Sequence, residues 1–540
     1  MDAWWKQAVF YEIYMPSFAD GNNDGIGDFK GITERLDYLK DLGVEGIWLT
    51  PFYSSPKVDN GYDIADYYAI DQDYGTMADF DAFLQKAHQL GIKVIVDLVL
   101  NHTSAEHDWF VQSKSSKQNP KRDWYIWADP VDGGPPNNWE SFFGGSAWEY
   151  DEQSGQYYYH AFAKEQVDLN WANKEVKQAM FDVMKFWLDK GVDGFRLDVI
   201  NYLTVNQSLP DNPYDENGEQ IHHYDVDQDG VLDVIEEITT LVKQYDNRFL
   251  LGEVGSDKLE ELLPYMEDGK LDAVFNFNLG SIETFDVDQI FTQVKEMEEN
   301  IPTNKMPTLF FSSHDMPRHI SRFGKAGFEE DIAKLISTLM LTAKGIPFIY
   351  FGDEIGIRNL YADHIADMKD VQGITAYKLA IADGKSEVEA LRIANEKGRD
   401  HSRSPMQWDD TANAGFSEVT PWIQLSDPTG TISVKSQRDK QDSLFAYYQR
   451  LISLKKQYPS LVTGTYKKLA KTDNIIFYIR EHNDQLVFVI LNFNDQEMKF
   501  TEEDLQNYQF VISSRRDFIE VNDSITILPY EAVVFAADKG

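Results

Sequence analysis

Eight apolar segments of strand length, separated by longer segments of helical period, constrain the fold more than any other feature of this sequence. Continuous apolar strands that alternate with helices are typical of a parallel sheet covered on both faces. Eight such units predict an α/β fold, a closed (β/α)8 TIM barrel, rather than an open sheet. The predicted strands span residues 7–14, 44–50, 93–100, 192–199, 248–254, 271–278, 307–315 and 347–354.

The segments between these strands carry helical periodicity. One begins at residue 32 and ends at Gly43, and others cover residues 76–90, 175–191 and 331–345. A glycine directly after the last periodic residue is a common helix end. The order of elements therefore matches the alternation that a barrel requires.

Two regions break this alternation. Residues 103–172, after the third strand, are rich in Trp, Tyr, Gly, Pro and Asn and are too long for an ordinary loop, so we expect a small inserted domain. Beyond residue 465 the apolar segments become short and alternating, which predicts a C-terminal antiparallel β-sandwich over residues 466–540. The barrel is then assigned to residues 1–102 and 173–465.

The composition excludes several classes of function. The chain has 540 residues, a net charge of −40 and no cysteine. Such a charge repels nucleic acid and anionic membrane surfaces, so neither is expected as a partner, and the lack of cysteine excludes disulfides and thiolate catalysis. No apolar run approaches the roughly 18 residues of a membrane span, and Met1 does not lead into a secretory signal. We therefore expect a cytoplasmic protein.

Polar and charged side chains follow four of the predicted strands at the point where each strand ends. In barrels of this class the functional residues gather at the carboxyl ends of the strands. A satisfied core network explains any one of these positions as well as a functional site does, but not all four together. The residues are Asp97, Asn101 and His102; Arg196 and Asp198; Glu253; and His314 and Asp315.

Three of these side chains, Asp198, Glu253 and Asp315, are carboxylates directed at one predicted pocket. The sequence has no cysteine nucleophile, no glycine-rich phosphate loop and no serine elbow, which favours acid–base and covalent carboxylate chemistry. Glycoside cleavage needs one carboxylate that attacks or stabilises and one protonated acid that releases the leaving oxygen. Arg196, two residues before Asp198, is expected to keep that aspartate ionised and to fix its direction.

Four segments, DLVLNH, GFRLDVIN, LLGEVG and FSSHD, resemble in this order the signature segments of the α-amylase superfamily, glycoside hydrolase family 13. NGYDIADYYAIDQDYGTMADF, NNWESFFGGSAW, HSRSPMQWDDTANAGFS and PFIYFGDEIG are similar to the oligo-1,6-glucosidase and dextran glucosidase branch. Trehalose-6-phosphate hydrolases and broad α-glucosidases are near relatives of that branch. The resemblance extends over essentially the whole chain. It implies a hydrolase of small oligosaccharides that is a monomer.

The resemblance assigns a role to each carboxylate. Asp198 becomes the nucleophile that forms a covalent glucosyl-enzyme, and Glu253 becomes the general acid and then the base. Asp315 becomes the third carboxylate, which accepts hydrogen bonds from the sugar hydroxyls. His102 and His314 contact the same sugar. The aspartate of DLVLNH supports the pocket. Two displacements on one face imply retention of the α configuration.

Further residues match those that close the pocket behind the first glucose in exo-acting relatives. Tyr62 supplies the stacking platform, and a salt bridge between Asp59 and Arg403 forms the wall. Phe162 is expected to line the same cavity from the inserted domain, although a local core role fits it as well. A blocked end implies that one glucose at a time is removed from a non-reducing end.

The position after the nucleophile bears on the linkage. Val199 implies α-1,6 preference, since α-1,4 relatives carry alanine or threonine there. The sequence departs from the family at three places: Gln372, where glutamate is usual, Met316, and the segment VGSDKLEEL. These departures concern the specificity for the leaving group. The alternatives are a trehalose-6-phosphate hydrolase, an α-1,4 or broad α-glucosidase, and, more remotely, a non-catalytic relative.

Two acidic loops are candidates for a metal. In the resembling family the loop DGNNDGIGD, residues 20–28, binds one structural calcium, and no organic cofactor is implied. Oxygen ligands at alternating positions suit a hard cation, although an ion-free Asp/Asn turn has the same composition. Residues 225–236 also fit the spacing of an EF-hand loop, but the preceding segment cannot form the entering helix. The expected ligands of the first loop are Asp20, Asn22, Asp24, Asp28 and the carbonyl of Ile26.

Overall fold

The computed structural model describes residues 3–427 and 429–538 and contains the predicted barrel, so the outermost residues of the first and last predicted domains lie outside it. All eight predicted strands are present and pair in parallel within one sheet. Numbered β1 to β8 in chain order, they span Phe10–Ile13, Gly46–Leu49, Lys93–Val99, Gly194–Asp198, Phe249–Gly252, Ala273–Val274, Thr308–Leu309 and Ile346–Tyr350. Neighbouring strands follow the order β6-β5-β4-β3-β2-β1-β8-β7. The prediction of an α/β barrel is confirmed.

Side chains, rather than a backbone ladder, join the two outermost strands of this sheet. The backbone N–H of Thr308, in β7, donates to Oδ1 of Asn276 at 2.9 Å. Thr308 Oγ1 accepts from the backbone N–H of Asn276 at 2.9 Å and donates to the carbonyl of Val274, in β6, at 3.1 Å. Asn276 and Thr308 are fully buried. They form the seam at which the barrel closes.

Helices cover the outside of the sheet. Residues 32–43, 76–90, 175–191 and 331–345 were predicted as helices, and the corresponding helices span Phe29–Leu42, Met77–Gln89, Lys174–Lys190 and Glu329–Thr342. Other helices lie at Val231–Val242, Leu259–Leu262, Phe277–Gly280, Val287–Asn300, His319–Phe323, Val371–Ala382, Glu387–Lys397, Val434–Gln437, Leu444–Gln457 and Pro459–Val462.

Local chemistry sets the ends of the first of these helices. The side chain of Asp28 accepts a hydrogen bond from Gly31 N, one of the amides that a helix start leaves without a partner. Gly43 follows the last turn with φ +100°, a conformation that glycine adopts without steric cost. The helix packs Leu36 and Leu39 into the core at 0% exposure. Asp28 thus belongs both to this helix and to the acidic loop before it.

β6 and β7 are shorter than the apolar runs that predicted them. The run 271–278 contributes only two residues to the sheet, and the chain then turns into the helix Phe277–Gly280. The run 307–315 also contributes only two residues, and residues 310–315 do not pair in this sheet. The remaining apolar residues pack in the core without pairing in the sheet.

The segment after β3 folds into a small aromatic layer. His102–Ser104 pairs antiparallel with Gln166–Asp168 where the segment leaves and rejoins the barrel. Between them lie the helix Asp108–Ser115 and a three-stranded sheet of Trp127–Ala128, Gln156–Tyr159 and Trp148–Asp151. The segment therefore has secondary structure of its own above the carboxyl ends of the barrel strands.

The C-terminal region is an antiparallel β-sandwich, as predicted. Five strands form one sheet in the order Thr465–Thr472, Ile475–His482, Gln485–Asn492, Ala532–Asp538 and Gln509–Ser513. Met498–Thr501 pairs with Ser524–Ile527 in a second layer. Phe488 and Phe500 pack between the layers, with ring centroids 6.1 Å apart. Over the described part of the chain, no helix is long and apolar enough to cross a bilayer.

Candidate active site

Arg196 lies at the centre of a buried ion-pair network. The strand register places it opposite Asp97, and its Nη1 donates to Asp97 Oδ1 at 2.9 Å and to Asp198 Oδ1 at 2.5 Å. Its Nη2 donates to Glu253 Oε2 at 2.5 Å. Glu253 directly follows β5, and its backbone N–H bonds the carbonyl of Leu197 at 2.8 Å. One guanidinium therefore holds the two predicted catalytic carboxylates side by side.

The two carboxylates have different proton affinities. Burial raises the pKa of Glu253 to about 7, with Arg196 opposing the rise and the charges of Asp198 and Asp315 adding to it. Burial also raises the pKa of Asp198 to about 6, again against the influence of Arg196. The pKa of Glu253 is the higher of the two, which is the order that an acid beside an ionised nucleophile requires.

A charged histidine holds Asp315 ionised. His314 Nδ1 lies 2.6 Å from Glu12 Oε1, and its Nε2 lies 3.1 Å from Asp315 Oδ2. Burial alone would lower the pKa of His314, but Asp315 and Glu12 raise it to about 9. Burial would likewise raise the pKa of Asp315, but His314, Arg399 and Arg403 hold it well below its usual range. Asp315 thus faces the pocket as an anion.

Tyr62 connects this histidine to the arginine network. Its hydroxyl lies 2.7 Å from His314 Nε2 and donates to Asp97 Oδ2 at 2.9 Å. The rings of Tyr62 and His314 are nearly parallel, with centroids 5.5 Å apart and an interplanar angle of 2°. Trp48 Nε1 also donates to Asp97 Oδ2, at 3.2 Å. The predicted supporting role of Asp97 is thus a set of hydrogen bonds to side chains of the pocket.

The salt bridge expected between Asp59 and Arg403 is absent among the described residues, because another arginine takes that place. Arg399 Nη2 donates to Asp59 Oδ1 at 2.5 Å and to Asp370 Oδ1 at 2.6 Å. Arg403 Nη2 instead donates to Asp315 Oδ1 at 2.8 Å, and its Nε donates to the carbonyl of His314 at 2.9 Å. The prediction of this pairing was wrong, although both arginines lie at the same buried wall.

The inserted segment completes the pocket near His102. Its ring lies 5.5 Å from the ring of Phe162, and burial lowers the pKa of His102 to about 4, so the imidazole is neutral. Gln166 Nε2 lies 3.0 Å from Asp59 Oδ2 and 3.1 Å from His102 Nε2. The structure therefore brings Phe162, His102 and Asp59 to one wall.

Val199, directly after Asp198, has φ +35° and ψ +52°. A β-branched residue rarely adopts this left-handed conformation, which costs on the order of 1–3 kcal/mol. The turn that it makes directs its backbone N–H to Glu253 Oε2, at 3.3 Å. The strained residue therefore lies beside the two predicted catalytic carboxylates, Asp198 and Glu253.

A cavity of about 850 Å³ begins at Glu253. Its walls include Phe277, Asn278 and Gln293, and Asn278 Nδ2 donates to Gln293 Oε1 at 2.7 Å. Its charged side chains are those of Glu253, Asp257, Glu261, Glu283 and Lys258, and Lys258 lies 3.0 Å from Glu261. This position beside the proposed acid suits a leaving group, and the acidic lining disfavours an anionic one.

Two of the departures noted in the sequence lie close to the site. Gln372 is in the first turn of the helix Val371–Ala382, whose N-cap Asp370 binds Arg399. Met316 is 8% exposed and packs in the apolar cluster that contains Trp48. The third departure, the segment at residues 254–262, supplies Asp257, Lys258 and Glu261 to the cavity that begins at Glu253.

The loop at residues 20–28 forms a network of turns. Asp20 Oδ1 and Oδ2 accept backbone N–H groups of Asn23 and Gly25, and Asp24 Oδ1 accepts that of Ile26. Within the described residues, no group of three or more His, Cys, Asp or Glu side chains is placed to hold a metal. The oxygen donors have the chemistry that calcium prefers, but Asp20 Oδ1 and Asp28 Oδ2 each already accept two backbone N–H groups.

Among the described residues, the acidic side chains of the second candidate loop, residues 225–236, do not gather around one position that could hold a metal. Asp225 accepts from Asn212 Nδ2 at 2.9 Å and lies 2.8 Å from His222 Nδ1. Asp227 accepts from the hydroxyl of Tyr265 at 2.5 Å. The first two acids of an EF-hand pattern thus bind separate protein partners.

Sequence reasoning missed three charged side chains of the site. Glu12 was visible as an acid inside the apolar run of β1, and it binds His314. Arg399 lies four residues before Arg403, and Asp370 binds Arg399 from the start of a helix. The spacing of the two arginines does not reveal which one faces Asp59.

Comparison with known proteins agrees with this geometry. A family model described as the alpha-amylase catalytic domain matches residues 12–464. An oligo-1,6-glucosidase of Parageobacillus thermoglucosidasius is 40% identical, with 98% of each chain covered. A trehalose-6-phosphate hydrolase of Bacillus subtilis (strain 168) is 39% identical, with 99% of this chain and 98% of that protein covered. The crystal structure of trehalose-6-phosphate hydrolase from Bacillus licheniformis superposes with a TM-score of 0.90 at 38% identity, with 100% of each chain covered.

The fold and the carboxylate site thus define a glycoside hydrolase of the TIM-barrel class. The chain belongs to the alpha-amylase family, glycoside hydrolase family 13. Its relatives include oligo-1,6-glucosidases over the whole length, which supports α-glucosidase activity.

Proposed function

We propose that this enzyme is a retaining, exo-acting α-glucosidase that releases glucose from the non-reducing ends of α-1,6-linked gluco-oligosaccharides. The observation that carries the proposal is the single guanidinium of Arg196, which holds Asp198 and Glu253 side by side. Their separate proton affinities supply an ionised nucleophile and a protonated acid in one pocket.

The first displacement follows from the hydrogen bonds. Arg196 holds Asp198 Oδ1, so Oδ2 attacks the anomeric carbon as the bond from that carbon to the leaving oxygen breaks. Arg196 and the N–H of Val199 hold Glu253 Oε2, so Oε1 delivers the proton to the leaving oxygen. The products of this step are the free leaving sugar and a glucosyl ester on Asp198.

The second displacement restores the enzyme. Glu253, now ionised, accepts a proton from water as the water oxygen attacks the anomeric carbon and the ester bond to Asp198 breaks. Asp315 stays ionised throughout, and its charge stabilises the positive charge that develops on the sugar ring. Two inversions at one carbon retain the α configuration.

The buried wall supports exo action. Asp59, Arg399 and Asp370 are joined by hydrogen bonds behind Tyr62, and Asp59 is 3% exposed. Charged groups that are already paired in this way form a rigid end to the pocket. A sugar chain then enters only by its terminal glucose.

Val199 and the relatives at about 40% identity favour the α-1,6 linkage. A trehalose-6-phosphate hydrolase is the second candidate, because relatives of that name are similarly close. A phosphate on the leaving sugar would meet Asp257, Glu261 and Glu283, and the nearby Lys258 is already paired. This acidic lining favours a neutral leaving sugar.

The test is the rate of glucose release from isomaltotriose, maltotriose and trehalose 6-phosphate in parallel, with Asp198→Asn as the control. We expect fast release from isomaltotriose and loss of all activity in the control. A preference for maltotriose or trehalose 6-phosphate would leave the proposed mechanism intact but overturn the proposed α-1,6 specificity. Activity that survives in Asp198→Asn would overturn the catalytic assignment.

We also propose that residues 20–28 bind one calcium ion, that no organic cofactor is required and that the enzyme is a monomer in the cytoplasm. The donor set of the loop supports the ion, and light scattering after size exclusion tests the oligomeric state. Cell fractionation tests the location.

A further inference from the structure

A second cavity, of about 1020 Å³, lies between the barrel and the C-terminal domain. Its walls come from the start of the helix Glu329–Thr342, the loop after β8, the segment before the helix Leu444–Gln457, and residues 513–517. The described residues that line it include none of the three catalytic carboxylates. The cavity is therefore separate from the active site.

The charge of this cavity differs from that of the rest of the molecule. Six basic and five acidic residues line it, which leaves a net charge of +1 in a chain whose net charge is −40. Glu531, outside the lining, neutralises one of these cations, so the cavity is close to neutral and repels an anion less than most of the surface does. The basic residues are Lys334, Arg358, Lys440, Arg450, Arg515 and Arg516.

Three of these cations are already paired within the protein. Lys334 lies 2.9 Å from Glu330, and Arg515 lies 3.2 Å from Asp331. Arg516 donates twice to the carboxylate of Glu531, which fixes its guanidinium. These pairs shape the walls and leave little charge for a ligand.

The other three cations, Arg358, Lys440 and Arg450, are exposed and have no ion pair with any residue that the structure describes. Arg358 comes from the loop after β8, Lys440 from the segment before the helix Leu444–Gln457, and Arg450 from the second turn of that helix. Guanidinium and ammonium groups that line one cavity without a carboxylate partner suit a phosphate.

The acidic residues of this cavity that lack an ion pair indicate which other groups the ligand carries besides phosphate. Glu329, Asp442 and Asp517 also line the cavity without an ion pair among the described residues. Carboxylates accept hydrogen bonds from hydroxyl groups, so a ligand that carries both phosphate and hydroxyls satisfies both sets. Phe328 is the only aromatic residue in the described lining, and it packs edge-on against Tyr530, which disfavours a neutral glycan held by stacking.

We propose that this cavity is a second binding site for a phosphorylated sugar, whose phosphate binds Arg358, Lys440 and Arg450 and whose hydroxyls bind the acidic residues. Sugar phosphates and nucleotides share this chemistry. The site does not depend on the linkage that the enzyme cleaves.

The experiment is titration calorimetry of the full-length enzyme with glucose 6-phosphate, inorganic phosphate, glucose and ATP at low salt. The test variant combines Arg358→Gln, Lys440→Gln and Arg450→Gln. The matched control combines Lys30→Gln, Lys467→Gln and Lys499→Gln, which removes the same charge from exposed lysines without ion pairs elsewhere. An unchanged kcat in both variants shows that they fold.

We expect glucose 6-phosphate to bind the natural enzyme and the control equally, and the test variant at least tenfold more weakly. Saturating glucose, which fills the active site, leaves this binding unchanged. If ATP binds more tightly than glucose 6-phosphate, the site is assigned to nucleotides, which also carry phosphate and hydroxyl groups. The proposal is overturned if binding persists in the test variant, if the natural enzyme binds neither glucose 6-phosphate nor ATP, or if inorganic phosphate binds with equal affinity.

Discussion

Arg196 is the side chain on which the proposed chemistry depends most. Its guanidinium is 2% exposed and contacts Asp97, Asp198 and Glu253 at once. Removing one member of such a buried network leaves charges without partners, which is strongly destabilising. The two carboxylates that we propose as nucleophile and acid therefore titrate as parts of one cluster.

The activity should depend on pH through both carboxylates. The nucleophile must be ionised, so activity rises as pH passes the pKa of Asp198, about 6. The acid must be protonated, so activity falls as pH passes the pKa of Glu253, about 7. We expect kcat/KM for isomaltose, measured between about pH 4 and pH 9, to be bell-shaped with a maximum between these values.

The variant Glu253→Gln provides the control for this profile. It should lower kcat by roughly 10²–10⁴-fold and abolish the alkaline limb, because the group that titrates there is gone. A natural enzyme whose activity stays constant to pH 9 would contradict the assignment of Glu253 as the acid.

Val199 is the residue through which linkage preference is tested. Val199→Ala removes two methyl groups beside the nucleophile, and we expect the ratio of kcat/KM for isomaltose over maltose to fall about tenfold. Val96→Ala is a matched control, because Val96 is fully buried in β3 and does not line the cavity that begins at Glu253. A ratio that changes equally in both variants would show a general loss of packing instead.

At the scale of elements, the strands were predictable because buried parallel strands are continuously apolar. The lengths of β6 and β7 were not, since Phe275 and Phe310 stay buried after the chain has left the sheet. The placement of Asp198 and Glu253 side by side was predictable from their position at strand ends. The partner of Asp59 was not, because Arg399 and Arg403 share one loop and only the packed loop selects between them.

The seam between β6 and β7 makes a prediction about stability. Thr308→Val keeps the shape of the side chain but removes the hydroxyl that bonds Asn276 N and Val274 O. Leaving these buried groups without partners should lower the free energy of unfolding by roughly 1–3 kcal/mol. Urea denaturation measures this change.

Thr526→Val, at an exposed position of the C-terminal domain, is the matched control and should change stability little. Equal stability of the Thr308→Val protein and the natural enzyme would mean that the seam does not depend on this hydroxyl.

The loop at residues 20–28 predicts a dependence on calcium. An ion that binds only the folded state adds about 2.7 kcal/mol at a concentration of about 100 times its Kd. We expect the midpoint of thermal unfolding to be higher in calcium than in EDTA. Asp24→Ala should remove this difference, and an identical midpoint in the two buffers for the natural enzyme would exclude the site.

At the scale of the whole molecule, the net charge of −40 is a source of self-repulsion. Salt screens exposed charges but reaches the buried network of Arg196 much less. We expect the midpoint of thermal unfolding to rise as sodium chloride increases from about 0.02 M to about 0.5 M. A midpoint that falls over this range would show that attractive surface pairs outweigh the repulsion.

The seam of the barrel also constrains how this enzyme can evolve. Asn276 Nδ2 donates to Asn278 Oδ1 at 3.2 Å, and Asn278 reaches Gln293 in the wall beside Glu253. A mutation at Asn278 that admits a new leaving group therefore also disturbs the side chains that close the barrel. Selection for a new substrate at this wall then favours lineages that have first acquired a stabilising substitution elsewhere.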